Sequence, residues 1–111
     1  MRVRVPAFLL TLTLALFAFQ AIAADYYVDI TNRTGYTIYY AYVSPARSGS
    51  WENDVLGNSV LTNGQTHRVF LRGYTSPIFD VRLVDEDGDS YTFWNVDVSQ
   101  EDILVTLDDI D

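Results

Sequence analysis

The chain has no cysteine and no lysine, one histidine, and three prolines in 111 residues. Each scarcity removes a class of function. Without cysteine there is no disulfide framework, no thiol nucleophile and no thiolate metal site. With His67 as the only imidazole, a zinc centre built from histidines is excluded as well. Without lysine, arginine alone supplies positive charge, and it is outnumbered. Arg2 and Arg4 precede residue 24 while all 15 acids follow it, so the later 88 residues carry five arginines against 15 acids, a balance of −10. Nucleic acid and anionic lipid headgroups are bound by neutralising phosphates with basic side chains, so neither is an expected partner.

The first residues have a different character. Arg2 and Arg4 give a positive start, Ala7 to Phe19 is apolar, and Ala21-Ile22-Ala23 is a small-x-small cleavage site. That order predicts a signal peptide over 1–23, cut after Ala23, and a periplasmic or secreted protein. The apolar run is shorter than the ~20 residues that span a bilayer. No second run follows, so no membrane span is expected in the mature chain. Residues 24–111 are expected to form a single domain.

What the mature chain has in quantity is aromatic and β-branched residues. Tyr26, Val28 and Ile30 alternate with Tyr27, Asp29 and Thr31, the period-2 pattern of a half-buried strand. Asn32 to Gly35 reads as a turn, and Asn32-Arg33-Thr34 also spells a glycosylation sequon. A second strand is expected over Tyr36 to Val43, ended by Ser44-Pro45 because proline cannot donate to a ladder. Further strands are expected from His67 to Leu71, on both sides of Asp87-Gly88, and from Ile103 to Leu107, with an acidic tail from Asp108 to Asp111. Ser50, Glu52, Asp54 and Gly57 have the spacing of a capped and terminated helical turn near 51–56. Trp51, Val55 and Leu56 would then close one end of the core. About six or seven short strands separated by turn signals predict an all-β fold, a small antiparallel, immunoglobulin-like β-sandwich.

The stretch VDEDGDSYTFWNV, residues 84–96, reads as a calcium loop or as a hairpin. An EF-hand with Gly88 at its sixth position would place Leu83 first and Trp94 twelfth, where oxygen ligands are required, so that motif is excluded. Asp87-Gly88 suits a two-residue type I′ turn. The resulting register pairs Val81 with Trp94 and predicts an inward face of Phe79, Val81, Leu83, Trp94 and Val96. It leaves Asp80, Arg82, Phe93, Asn95 and Asp97 outside, with Arg82 able to pair with either aspartate. Asp85, Asp87 and Asp89 converge at the tip, where a loosely held calcium ion is the alternative functional expectation.

Three segments together resemble a known pattern: Thr34-Gly35-Tyr36-Thr37-Ile38 followed by Tyr42-Val43-Ser44-Pro45; Ser50-Trp51 through Asp54-Val55-Leu56-Gly57; and Phe79-Asp80-Val81-Arg82 before the acidic hairpin. In this order the chain is similar to small exported bacterial proteins with a TGxTI…YVSP…SWGxDxLG…YDIRVV…DG pattern. The resemblance implies an exported β-domain and no defined activity. Some members carry the label argininosuccinate lyase, but such lyases are long, helical and oligomeric, and 88 β-rich residues cannot rebuild their site. Glu52 stands where that pattern has glycine. Pro77 and Ser99 stand where it often has two cysteines, consistent with a disulfide lost as a unit.

No constellation for covalent or acid–base catalysis emerges. His67 lies at the start of a strand with no serine elbow, and no residue is assigned a catalytic role. The tyrosines remain. Tyr39, Tyr40 and Tyr42 on the second strand, with Trp51 and Asp54 from the Ser44–Gly57 loop, form the expected binding surface. Surface aromatics beside acids and amides stack on sugar rings or dock proteins. The expectation is a non-catalytic binding module whose partner is a protein or carbohydrate of the cell envelope.

Overall fold

In the computed structural model, which describes residues 22–111, two three-stranded sheets face each other across one core. The expected leader therefore lies, up to residue 21, outside the described residues. The strands are β1 (Ala24–Arg33), β2 (Ile38–Pro45), β3 (Thr66–Tyr74), β4 (Ile78–Asp85), β5 (Ser90–Asp97) and β6 (Ile103–Thr106). One sheet has the order β3-β1-β6 and the other β2-β4-β5. All pairings are antiparallel except β1 with β6, which is parallel. This is the small β-sandwich that the turn spacing predicts, with six strands. No helix among the described residues is long and apolar enough to cross a membrane.

Alternation sorts the side chains as a half-buried sheet requires. Val28 and Ile30 point inward from β1, Val69 and Leu71 from β3, and Ile103 and Val105 from β6. The facing sheet contributes Ile38, Ala41 and Val43, then Phe79, Val81 and Leu83, then Tyr91 and Val96. Phe79 and Tyr91 are the largest fully buried side chains, and Tyr74 packs edge-on against Phe79 with ring centroids 5.0 Å apart. With no disulfide, these rings supply much of the apolar burial that holds the sheets together.

The segment 51–56 does not form the expected helical turn. Asp54 bridges to Tyr42 on the outer edge of β2, and Val55 N–H donates to the Ala41 carbonyl at 2.7 Å. Asp54 Oδ1 accepts from the N–H groups of Ala41 (2.8 Å) and Leu56 (3.0 Å). The carboxylate thus binds across to β2 rather than capping a helix, and the segment covers an edge that would otherwise offer unpaired backbone groups. Leu56 reaches the core and Val55 packs on it, but Trp51 does not join them. The 3-10 turn that does form is Leu107–Asp109, just after β6.

That turn brings the acidic tail back onto β5. Ile110 bridges to Tyr91, and Asp111 N–H donates to the Ser90 carbonyl at 2.8 Å. Asp111 Oδ2 accepts from the hydroxyls of Thr92 (2.6 Å) and Ser90 (2.7 Å). The Thr92 hydroxyl holds this carboxyl below its ordinary 3.8, against burial and with help from Ser90 and Arg82. The Arg68 guanidinium acts likewise on Asp29, to which it is paired at 2.8 Å. A carboxyl whose pKa is depressed by folding adds stability above its unfolded value, and that stability is lost as pH falls through the folded value. Urea unfolding from about pH 6 to about pH 2.5 should therefore show a shallower acid loss in Asp111→Asn than in the parent chain. Parallel losses would refute the assignment.

Candidate binding site

The β4–β5 hairpin decides which aromatic rings face out. Its turn is not type I′: Gly88 has φ 83, but Asp87 is not in the left-handed region that this turn requires. Gly88 N–H donates to the Asp85 carbonyl at 3.0 Å and Asp85 N–H to the Asp89 carbonyl at 2.9 Å. Glu86, Asp87 and Gly88 thus make a three-residue connection. Near the tip this moves the register by one residue, so that Leu83 pairs with Tyr91 and Val81 with Phe93. A one-residue slip exchanges the faces of a strand. Tyr91 therefore enters the core, Phe93 packs partly against it, and Trp94 turns outward with 62% of its surface exposed, against the expectation that Trp94 is buried.

A β-bulge then restores the original phase. Phe79 pairs with Val96 and Ile78 with Asp97, as expected, so Trp94 and Asn95 together stand opposite the single residue Asp80. Asn95 sits at φ 55, the only described non-glycine residue in the left-handed region, a conformation asparagine tolerates better than most residues. Asp80 Oδ1 accepts its N–H at 2.8 Å and fixes the bulge. Both Trp94 and Asn95 are thereby presented on the outer surface while Val96 still reaches the core.

Trp51 comes to the same place from the loop after β2. Its ring lies 5.7 Å from that of Trp94 at an angle of 38°, and the Arg82 guanidinium sits 5.0 Å from its centroid. Arg82 Nε donates to Thr92 Oγ1 at 3.0 Å. The arginine therefore supports Trp51 instead of pairing with Asp80 or Asp97. The two indoles border a groove of about 410 Å³, completed by Ser44, Ser48, Ser50, Asp80 and Asn95. Past Ala46 and Asn95 lies a second depression of about 430 Å³ that includes Arg47, Tyr74 and Thr75.

The expected binding residues divide around this groove. Tyr40, Tyr42 and Ser44 project from the outer face of β2, opposite Val84, Arg82 and Asp80 in turn. A register irregularity between Ile38 and Tyr40 leaves Tyr39 exposed as well, with its ring edge-on to that of Tyr40 at 6.5 Å. Trp51 borders the groove, whereas Asp54 is engaged with backbone N–H groups. Trp94, Asp80 and Asn95 are the groove residues that sequence reasoning did not assign. The phase break was nevertheless visible, because the inward positions Tyr91 and Phe93 are followed by Val96 and Val98, a step of three where a regular strand steps by two.

The acidic tip is built differently. Asp85, Asp87 and Asp89 bring carboxylate oxygens within 4.8 Å of one another. Asp85 is 2% exposed. Its Oδ1 accepts from the N–H groups of Asp87 (2.9 Å) and Asp89 (3.0 Å), and its Oδ2 accepts from the Tyr91 hydroxyl at 2.7 Å. Both oxygens are thus committed to the turn, which leaves Asp87 and Asp89 as solvated carboxylates. The sequon residue Asn32 is also internal. It is 0% exposed, and its side-chain nitrogen donates to the carbonyls of Tyr36 and Leu61. His67 lies in β3 opposite Ile30.

No protein-family model matches the chain, and no curated protein and no solved structure matches it.

Proposed function

We propose that this protein is an exported, non-catalytic binding module whose binding surface is the Trp51–Trp94 groove on the outer face of the β2-β4-β5 sheet. The observation that carries the reading is the outward Trp94, held beside Trp51 by a bulge at a residue with positive φ. An indole exposed in this way leaves apolar surface in water. A regular strand would avoid the unusual backbone conformation. Such departures concentrate where a surface serves recognition. The groove's polar groups are hydroxyls, one amide and one carboxylate, without the nucleophile–base pair that acyl transfer needs.

Export is supported by Arg2 and Arg4, the Ala7–Phe19 run and the Ala21-Ile22-Ala23 site. The first strand begins at Ala24, directly after that site. The likeness to small exported bacterial proteins points the same way. A partner in the cell envelope follows from that location.

The test is capture from an envelope extract on the immobilised protein. Wild type and Phe70→Ala, altered on the opposite sheet, should retain the same component, while Trp51→Ala/Trp94→Ala should lose it. Equal retention by the double variant would overturn the assignment of the groove.

A further inference from the structure

We infer that the groove takes an uncharged, linear oligosaccharide, stacked on Trp94 and extended past Asn95 into the neighbouring depression; this rests on the binding-module reading above. Three features select that chemistry.

The first is the state of the aromatic rings. Arg82 already occupies a face of Trp51, so the cation site of that ring is filled from within the chain. Trp94 has no such partner among the described residues and presents a flat apolar surface. A pyranose ring offers a matching face of C–H groups, with hydroxyls around its rim. The indole can therefore stack on the ring while neighbouring polar groups bind the rim.

The second is the supply of unused hydrogen-bonding groups. Asp80 Oδ1 is held by Asn95 N–H, but Oδ2 accepts nothing among the described residues. Neither indole N–H has an acceptor among them. The Ser44 and Ser48 hydroxyls are engaged by the loop backbone, but a carboxylate oxygen, an indole N–H, the Asn95 amide and the Ser50 hydroxyl form a mixed donor and acceptor set, suited to hydroxyls that both give and take hydrogen bonds. An apolar protein side chain would leave this set unpaired.

The third is charge and shape. Asp80 is the one charged residue of the first depression and Arg47 the one of the second. Their charges offset each other, and nothing in the trough provides a concentrated site for phosphate or carboxylate. The two depressions share Ala46 and Asn95, so a chain can run from Trp94 towards Tyr74 and Thr75, whereas a single sugar would fill only one end. Sites of a few hundred Å³ with an aromatic wall and a few convergent polar groups are of the size that holds small ligands.

The test is titration of the purified protein with glucose-, N-acetylglucosamine- and mannose-based di- and tetrasaccharides, followed by calorimetry and tryptophan fluorescence. At least one tetrasaccharide should bind more tightly than its disaccharide. Trp94→Ala should weaken it by about thirtyfold or more, the loss typical of a dominant aromatic contact. Asp80→Asn should weaken binding less, and Phe70→Ala should leave it unchanged. Circular dichroism of each variant separates lost binding from lost folding. Binding of an anionic uronate tetrasaccharide in preference to every neutral one would overturn the charge argument. If no saccharide binds while envelope capture still depends on Trp51 and Trp94, the ligand class is wrong and the module reading stands. If capture is also independent of the two indoles, both fall.

Discussion

Asn32→Ala should lower the unfolding free energy by about 3–5 kcal/mol, close to the whole stability of a domain this small. The side chain is completely buried and uses all of its hydrogen-bonding capacity locally. Nδ2 donates to the carbonyls of Tyr36 (2.7 Å) and Leu61 (2.9 Å). Oδ1 accepts from the N–H (3.0 Å) and hydroxyl (2.8 Å) of Thr34. One amide therefore ties the β1–β2 turn to the strand-like segment at Leu61, which itself bridges to Ile38. Alanine would leave the buried Thr34 N–H without a partner, at about 1–3 kcal/mol, and would take one of two donors from each of the Tyr36 and Leu61 carbonyls, which keep the Thr34 hydroxyl (3.2 Å) and the Ile38 N–H (2.9 Å), at about 0.5–1.5 kcal/mol each. Asn32→Asp separates this cause from lost volume. The shape is kept, but a carboxylate would face two carbonyl oxygens and could donate to neither. Chemical denaturation at about pH 7 should rank wild type well above both variants, and Asn32→Asp should recover part of its loss on acidification, when a protonated carboxyl regains one donor. An Asn32→Asp variant as stable as wild type would overturn the argument.

The fold was largely legible in the sequence because it depends on alternation. Val28 and Ile30, Phe79, Val81 and Leu83, and the late pair Ile103 and Val105 all fall inward as their spacing predicts. What the sequence concealed was phase. Asp87-Gly88 suits two hairpin connections that differ by one residue, and local turn chemistry does not choose between them. The choice is made by burial elsewhere. With the three-residue connection, Tyr91 fits beneath Asp85, where its hydroxyl has a partner. The site inherits the consequence, since the same shift expels Trp94, and the bulge at Asn95 is needed to return Val96 to the core. Segment 51–56 failed for a related reason. Ser50, Asp54 and Gly57 are spaced as helix signals, yet Asp54 binds N–H groups just as well from the edge of a sheet. Gly57 does adopt the left-handed conformation expected of it, at φ 60.

At the hairpin tip, Asp85→Ala should cost about 2–4 kcal/mol, while Asp87→Ala and Asp89→Ala should each change stability by less than about 0.5 kcal/mol. The three acids look equivalent in sequence and are not equivalent in the fold. Asp85 accepts two turn N–H groups and the hydroxyl of fully buried Tyr91, whereas the side chains of Asp87 and Asp89 are exposed. Removing Asp85 strands the Tyr91 hydroxyl in the core, so a double-mutant cycle with Tyr91→Phe should give a coupling of about 1–2 kcal/mol. Burial first, and then the Asp85 carboxylate, push the Tyr91 hydroxyl well above its ordinary 10.0. A pKa raised by folding contributes stability below the unfolded value that is lost as pH climbs above it, so Tyr91→Phe should flatten the alkaline side of the stability profile beyond about pH 10. The same hydrogen bonds bear on calcium. An ion at the tip would have to displace them from Asp85 or rely on two solvated carboxylates, so millimolar calcium should leave the melting temperature of wild type unchanged. A calcium-dependent rise that vanishes in Asp87→Ala would make the tip a metal site. Without one, the acids at 85–89 divide into one turn-forming carboxylate and two surface charges.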